Sequence, residues 1–502
     1  MMLSELIAGA SGALAQTQID VEINHITHDS REVCSDTLFV ALPGRRADGL
    51  QFLDAALARG AAAVAVPMDV ELDLKVPVIH LQQPRRDLAA LASTLNAHPS
   101  RELSILGITG TNGKTTVASL VSGLCEHASR VPGQIGTNGH RIGESLVAAQ
   151  FTTPESPALQ RILRTMVDAH VDCVAMEVSS VGIDEHRVSN VEFDACAFLN
   201  LTVDHLDYHG TMENYGRAKA RLFSELLKDE GVAYICIDDE FGVRLATQLR
   251  RERPEIRVLT VSVTDEADFM FPILESTERG LDGQLKTPGG MVEIRSPLLG
   301  RFNAQNIAMA VGLCQSVGLS TQEIENGLPK VSVRGRLERV SHNGEVAVFV
   351  DYAHSPDALQ HVIETVRGVS HGHIWLVFGC GGDRDVSKRA IMGRISTQAD
   401  GVIITNDNPR SESPQQIVDD ISSGIAKTEM PVGDKPQLGH ACVVLDRSRA
   451  IGLAIRAAKP GDVVIIAGKG HETYQEESGR RMPFDDVEVA RSFLEGGAHV
   501  EA

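Results

Sequence analysis

Leu103-Ser-Ile-Leu-Gly-Ile-Thr-Gly-Thr-Asn-Gly-Lys-Thr-Thr116 passes from a buried-strand pattern into a glycine-punctuated loop, and an amphipathic helical pattern continues from Lys114 to about His127. A strand, then glycines, then a helix opens a nucleotide-binding α/β domain. The residue types suit phosphate. Glycines let backbone N–H groups approach oxygens, Lys114 supplies a point charge, Thr115 can ligate Mg²⁺, and the helix N-terminus adds its dipole. The spacing departs by one from G-x-x-x-x-G-K-[ST], because the outer glycine is Gly107 and Ile108 holds the expected place.

Downstream, strand signals fall at Cys173–Val178, Phe193–Leu199 and Val232–Cys236, and helical patterns at Pro157–Ala169, Met212–Leu227 and Ala304–Val317. The alternating, Gly-rich stretch Gly280–Ile294 reads as a β-hairpin. Glu177 closes the strand at Cys173, at the edge where ligands gather in open α/β sheets, and it suits either a Mg²⁺ ligand or an exposed strand-end carboxylate. Asp204-His-Leu-Asp-Tyr-His209 sets two histidines four apart. Without the Glu of H-E-x-x-H, or nearby cysteines, that spacing fits a single His on Mg²⁺ or phosphate better than a zinc pair. Lys219 lies on a mixed helix whose pattern alone makes it an exposed lysine.

Outward on both sides the chain changes character. Residues 1 to 100 combine short apolar runs at Thr37–Leu42, Ala63–Val66 and Val78–Leu81 with helical patterns over Gln51–Arg59 and Leu88–Ala97, a small α/β domain ended by His98-Pro99-Ser100. A linker is expected at Pro329–Arg336. Beyond it, five apolar runs (Val346–Val350, Ile374–Phe378, Gly401–Thr405, Cys442–Leu445 and Asp462–Ala467) alternate with helical patterns, which implies a mostly parallel sheet with right-handed crossovers. Three domains follow, at 1–100, 101–332 and 333–502. Four of the last domain's strands end in polar clusters: Asp351-Tyr-Ala-His354, Gly379-Cys-Gly-Gly-Asp-Arg384, Asn406-Asp-Asn-Pro-Arg410 and Gly468-Lys-Gly-His-Glu472. Parallel strand ends share one sheet edge, so these clusters should share a cleft. Two arginines and Glu472 there suit a zwitterion, with carboxylates on the arginine forks and an ammonium on the glutamate.

Composition removes several classes. The 502 residues carry 67 acidic against 47 basic side chains, a net charge of −20 that opposes nucleic-acid binding. Eight scattered cysteines without a C-x-x-C pair read as reduced thiols. The longest apolar run, Ala61–Met68, is far short of the roughly 20 residues of a membrane span. The N-terminus has neither the basic segment nor the apolar core of a signal peptide, so a cytoplasmic protein is expected.

With these residues in view, the chain resembles the Mur ligases along nearly its whole length. The resemblance is carried by T-G-T-N-G-K-T-T at Thr109–Thr116, T-T-P at Thr152–Pro154, E-V-S-S at Glu177–Ser180 and N-L-T-x-D-H-L-D-Y-H-G at Asn200–Gly210. It continues in G-R-F-N-x-x-N at Gly300–Asn306, D-Y-A-H-x-P-D at Asp351–Asp357, G-C-G-G-D-R-D at Gly379–Asp385, D-N-P-R at Asp407–Arg410 and G-K-G-H-E at Gly468–Glu472. It implies a UDP-binding N-terminal domain, a central ATPase-like domain and a Rossmann-like, doubly wound C-terminal domain. The implied reaction is ATP-driven addition of meso-2,6-diaminopimelate to UDP-N-acetylmuramoyl-L-alanyl-D-glutamate in cytoplasmic peptidoglycan precursor synthesis, by a monomer.

The same resemblance distributes the roles. Gly110, Thr111, Asn112, Gly113, Lys114, Thr115 and Thr116 would cradle the phosphates of ATP, and Asn303, Asn306, Arg336 and Asp351 the rest of the nucleotide. Ser30, Thr152, Thr153, Ser179 and Arg187 would hold the UDP-linked substrate. Lys219 matches a lysine carbamylated in the family, an anion able to bind Mg²⁺ with Thr115, Glu177 and His205; Lys114, Lys219 and His205 are the implied catalytic residues. Arg384, Asp407, Asn408, Pro409, Arg410, Gly468 and Glu472 match the amino-acid pocket. Two positions depart from the pattern, Val181 in place of His and Glu185 in place of Gln, while Arg187 keeps it. A carboxylate is a poor acyl donor, so the substrate's γ-carboxylate would first attack the γ-phosphoryl of ATP, and the amine would then displace phosphate from the acyl phosphate. The linker would act as a hinge closing the site. Against a lysine-adding ligase of the same scaffold stands Arg410, which lysine would leave unpaired. Against a folate-type ligase stands the N-terminal domain, and against a regulatory nucleotide-binding protein the four strand-end clusters.

Overall fold

The computed structural model describes residues 1–10, 13–15, 19–44, 47–277, 279–341, 346–426 and 430–496. The chain divides into two compact units, one of Met1–Met270, Lys286–Gly290 and Gln305–Gly327, the other of Phe271–Leu285, Met291–Ala304 and Leu328–Ala502.

The first unit holds two sheets. Strands Val78–Leu81, Ala63–Pro67, Thr37–Val40 and His25–Thr27 lie side by side in parallel, with Ala13–Ala15 antiparallel at one edge. The inner three strands are almost wholly apolar because both faces are covered, Leu38, Ala63 and Ile79 facing one core and Phe39, Val64 and Val78 the other. Helix Pro84–Leu95 starts on a proline, whose missing N–H costs nothing in a first turn.

In the larger sheet Ile105–Thr109 runs parallel to Cys173–Glu177 on one side and Phe193–Phe198 on the other. Pro132–Gly136 continues the sheet beyond the former, and Leu227–Cys236 and Arg257–Ser262 beyond the latter. All these strands deliver their carboxyl ends to one edge. The helix read over Met212–Leu227 stops at Arg221; one wider turn, Leu222–Leu226, follows, and Leu227 already pairs with Phe193.

The second unit's main sheet has the order Glu338–Arg339, Ala347–Asp351, Val463–Ala467, Ile374–Phe378, Gly401–Ile404, Ala441–Val443, Val432–Gly433, with only the first strand antiparallel. Helices Pro356–Val369, Ser387–Ser396 and Pro414–Ile425 cover one face and Arg447–Ala457 and Asp486–Leu494 the other, each over its own apolar core. This is the doubly wound arrangement that the alternation implied. Strands Gly280–Thr287 and Gly290–Ser296 pair as the expected hairpin. A second hairpin, Tyr474–Glu477 with Arg480–Pro483, was not expected. Among the described residues no helix is long and apolar enough to cross a membrane.

Candidate functional site

The loop Gly110–Gly113 leaves the central strand of the larger sheet and is braced by the next strand's end. Asn112 donates its backbone N–H to Asn200 Oδ1 at 2.9 Å, and Thr111 donates its own to the Asn200 carbonyl at 3.0 Å. Gly113 has φ +90°, and a Cβ there would collide with Asn306 Oδ1, so the loop and the buried Asn306 need a glycine between them. Thr115 and Thr116 are buried in the first turn of the helix. Lys114 folds back, its Nζ donating to the Gly110 and Thr111 carbonyls at 2.9 Å each. A cavity of about 530 Å³ opens beside the loop, lined by Asn200, Thr202, Asp238, Arg244 and Gln305 among others.

Lys219 is buried, 1% exposed, which corrects the pattern reading of an exposed lysine. Its Nζ donates to the Gly110 carbonyl at 2.9 Å and stands 4.4 Å over the Tyr215 ring. Burial, reinforced by the Lys114 ammonium, holds the amine well below the usual lysine range. Glu177 is fully buried rather than an exposed strand end. It accepts from Thr115 Oγ1 at 3.0 Å and from the Thr137 backbone N–H at 2.9 Å. His205 is half-exposed, beside Asp204 at 3.6 Å, with its ring 6.0 Å from that of Tyr215. His209 is buried on Ser180 Oγ at 2.9 Å, so the two histidines do not form a pair, and no group of three His, Cys, Asp or Glu among the described residues is arranged to hold a metal ion.

Of the residues assigned to the UDP-linked substrate, Thr152, Thr153 and Ser179 gather around Glu177. Thr152 meets Thr137 Oγ1 at 3.0 Å, Thr153 Oγ1 donates to the Glu177 carbonyl at 3.0 Å, and Ser179 donates its N–H to Thr153 Oγ1. Arg187 donates to the Thr153 carbonyl at 3.2 Å and pairs with Glu155 at 3.0 Å. The acidic departure Glu185 is compensated: Arg85 reaches it at 2.8 Å and the Tyr208 hydroxyl at 2.9 Å. Val181 is a half-buried residue of the short helix Ser180–Asp184. Ser30 lies in a single turn beside Asp29 and Arg31, which line a cavity of about 440 Å³ together with Phe151, Glu155 and Arg161. The Arg31 guanidinium holds the Asp29 carboxyl down at about 2.

In the second unit the four strand-end clusters are contiguous. Gly468 donates its N–H to the Asp351 carbonyl at 3.0 Å, Gly382 to that of Asn408 at 2.9 Å, and Lys388 reaches the His354 carbonyl at 2.7 Å. Asn408 Nδ2 donates to Glu472 Oε2 at 2.7 Å, and the buried Lys469 donates to both Asn408 Oδ1 and Glu472. A Cβ on Gly468 (φ +117°) would press into the Asp407 carboxylate. Arg410 and Arg384 flank Gly381, where an added Cβ would lie 3.0 Å from Arg410 Nη1 and 3.9 Å from Arg384 Cγ. Pro409 is buried between them in sequence and Arg410 has φ +52°. Asp351 is buried on the Leu337 and Ala353 N–H groups, and desolvation pushes its carboxyl up. Arg336 stacks over Tyr352 at 5.0 Å, and Asn303 is buried on the Leu299 carbonyl at 2.8 Å.

Sequence reasoning passed over Glu155, Arg85, Tyr208 and Thr137, which surround Arg187 and Glu177, and Lys469 with the Gln475-Glu476 strand that donates to Asp407 and Asn408. For Lys469 the signal was present, inside the Gly468–Glu472 cluster. Tyr208 likewise stood inside the Asn200–Gly210 motif, whereas Glu155, Arg85 and Thr137 carry no local pattern.

Three segments match family models: residues 22–96 the Mur ligase family catalytic domain, 108–314 the Mur ligase middle domain and 335–470 the Mur ligase glutamate ligase domain. The chain therefore belongs to the Mur ligase family and is a ligase. Among its relatives, the protein of Geobacillus kaustophilus (strain HTA426) named UDP-N-acetylmuramoyl-L-alanyl-D-glutamate--2,6-diaminopimelate ligase is 38% identical over 498 residues, covering 98% of this chain and 99% of that one. The Pseudomonas aeruginosa protein of the same name is 40% identical over 485 residues, 95% and 96% of the two chains. A solved structure of an enzyme of that name shares 33% identity and aligns with a TM-score of 0.69 over 96% of this chain and 98% of that one. A MurF structure from Acinetobacter baumannii, at 19% identity and TM-score 0.63 over 92% and 94%, shares the fold.

Proposed function

We propose that the chain, acting as a single cytoplasmic protein, uses ATP to join meso-2,6-diaminopimelate to the γ-carboxylate of UDP-N-acetylmuramoyl-L-alanyl-D-glutamate. The observation that supports the choice of amino acid is the grouping of strand-end side chains in the second unit. There Glu472 and Asn408 offer a fixed acceptor group for an ammonium, while Arg384 and Arg410 flank Gly381 and offer forks for carboxylates. A diamino acid with a carboxylate at each end uses both arginines; lysine would leave one without its anion.

The first half-reaction follows from the loop. The γ-carboxylate attacks the γ-phosphoryl group of ATP, ADP leaves, and an acyl phosphate forms on the substrate. Lys114 and the backbone N–H groups of Gly110–Thr115 hold the phosphate oxygens and counter the charge that develops on them. Thr115 Oγ1 and the buried Glu177 carboxylate, 3.0 Å apart, are hard oxygen donors of the kind Mg²⁺ takes, with His205 and a carbamylated Lys219 as the further proposed ligands. Mg²⁺ bound there supplies charge neutralisation at the phosphates. Burial of Lys219, with the Lys114 ammonium beside it, disfavours the charged amine and so favours the unprotonated form that CO₂ would meet. In the second half-reaction the free amine of diaminopimelate attacks the acyl carbon and phosphate leaves.

The test is incubation with ATP, Mg²⁺, the UDP-linked dipeptide carrying ¹⁸O in its γ-carboxylate, and either diaminopimelate or lysine. The expected outcome is a tripeptide product with diaminopimelate and ¹⁸O in the released phosphate. Unlabelled phosphate would rule out the acyl phosphate, and a preference for lysine would overturn the amino-acid assignment.

A further inference from the structure

Four charged side chains form a chain across the first unit. Arg85, in the first turn of helix Pro84–Leu95, reaches Glu185 Oε2 at 2.8 Å and lies 3.8 Å from Glu155 Oε2; Glu155 Oε1 in turn meets Arg187 Nη2 at 3.0 Å. Arg85 comes from the five-stranded layer, and its three partners from the layer that carries the nucleotide loop. The group is largely withdrawn from water, with side-chain exposures of 30% for Arg85 and 14–18% for the other three. Arg187 Nε is buried with no hydrogen-bond partner among the described residues, and its guanidinium lies 4.9 Å over the Phe151 ring. Two carboxylates and two guanidiniums cancel. Without Arg85 the cluster would hold one net negative charge, in low dielectric, next to the arginine assigned to an anionic substrate.

We propose that Arg85 is a positioning residue for the UDP-linked substrate, acting through Glu185 and Glu155. It cancels the charge of Glu185, which would otherwise repel the substrate's phosphates and carboxylates. By sharing Glu155 with Arg187 it also keeps that carboxylate from binding Arg187 too tightly to release it. Glu185 and Arg85 therefore work as a pair, each tolerable because of the other. The proposal rests on the function given above and adds a residue of the N-terminal layer to the substrate site.

The experiment is a double-mutant cycle on the full chain: Arg85→Ala, Glu185→Gln and both together, with KM measured for the UDP-linked dipeptide and for ATP. Arg85→Ala should raise the KM for the dipeptide about tenfold or more and leave that for ATP within about twofold, whereas in the Glu185→Gln background the same change should cost less than about threefold. Equal effects in the two backgrounds, or an equal rise for ATP, would overturn the pairing. Arg85→Lys guards against a folding defect: retained charge should bring the dipeptide KM back to within about threefold of the unsubstituted chain, and a value as poor as alanine's would overturn the electrostatic role. No turnover by the unsubstituted chain would remove the functional reading and this inference together, while turnover with additive effects removes the inference alone.

Discussion

Arg447 and Asp486 offer the sharpest test of how the proposed amino-acid site is held in shape. Both are fully buried. Arg447 donates Nε and Nη2 to the two Asp486 oxygens at 2.7 Å each, Nη2 to the Ala467 carbonyl at 3.0 Å and Nη1 to the Asn406 carbonyl at 3.2 Å. Those carbonyls immediately precede Gly468 and Asp407, so one guanidinium ties together the two strand ends that open into the proposed pocket. Asp486→Asn leaves the guanidinium buried without its counter-charge, a change that costs about 3–5 kcal/mol. For a unit of this size that is a fall of roughly 6–20 °C in melting temperature. Scanning calorimetry would measure it, and hydrogen exchange over Gly401–Ile404 and Val463–Ala467 would locate it. Arg447→Met with Asp486→Leu removes both charges and should return to within about 1–2 kcal/mol of the starting stability. It cannot restore the tethers to Asn406 and Ala467, so its KM for diaminopimelate should stay raised while that for ATP does not. A loss under about 1 kcal/mol for Asp486→Asn, or a double variant that recovers the KM along with the stability, would refute the reasoning.

Arg410→Ala should raise the KM for diaminopimelate by about 30-fold, the equivalent of roughly 2 kcal/mol for a charge-assisted fork, with little change for ATP; equal effects on both substrates would sink the assignment. Lys219→Ala should nearly abolish turnover yet leave UDP-substrate binding largely intact, with short carboxylates restoring part of the rate, and a fully active enzyme whose Lys219 is an unmodified ammonium would dismiss the carbamate. Burial, followed by the charges of Arg336 and Arg334, pushes His471 down to about 4. Between that value and the unfolded value of about 6.5 the unfolded chain binds more protons, so stability should rise with pH across this window by at most about 3–4 kcal/mol. His471→Gln should flatten that slope in urea titrations at pH 4.5 and 7, and an unchanged slope would refute the attribution.

The architecture was legible where a segment is buried on both faces. Ile105–Thr109, Ile374–Phe378 and Val463–Ala467 carry almost no polar side chain, and only a sheet covered on both sides can use such runs. Half-buried and short elements left no such mark. Tyr474–Glu477 carries no apolar aliphatic side chain and is ordered by bonds to Asp407, Asn408 and Arg410, 67 or 68 residues earlier, rather than by its own pattern. The overrun of the helix past Arg221 has the same origin. Leu222, Phe223 and Leu226 continue an apolar helical spacing, and it is Phe193, waiting at the sheet edge, that draws Leu227 into a strand.

The site divides along a related line. Lys114, Arg410 and Glu472 stand in clusters whose residue types suit a phosphate or a zwitterion, so candidate chemistry can be proposed before the fold is known. Burial and charge balance cannot be read in that way, because they depend on partners distant in sequence. Lys219 belongs by pattern to a solvent-facing helix surface, yet the carbonyl that receives its amine, Gly110, lies 109 residues away, and burial, reinforced by the neighbouring Lys114 ammonium, is what makes the charged form unfavourable. Glu185 looks like an intruder among groups meant for an anion until Arg85, exactly 100 positions earlier, supplies the missing positive charge. A substitution that seems to break a site's electrostatics therefore has to be weighed against every element packed on it. Here the compensating residue sits in a different structural layer from the residue it neutralises, and only the packing of the two layers in one unit makes the acidic side chain compatible with the substrate proposed for it.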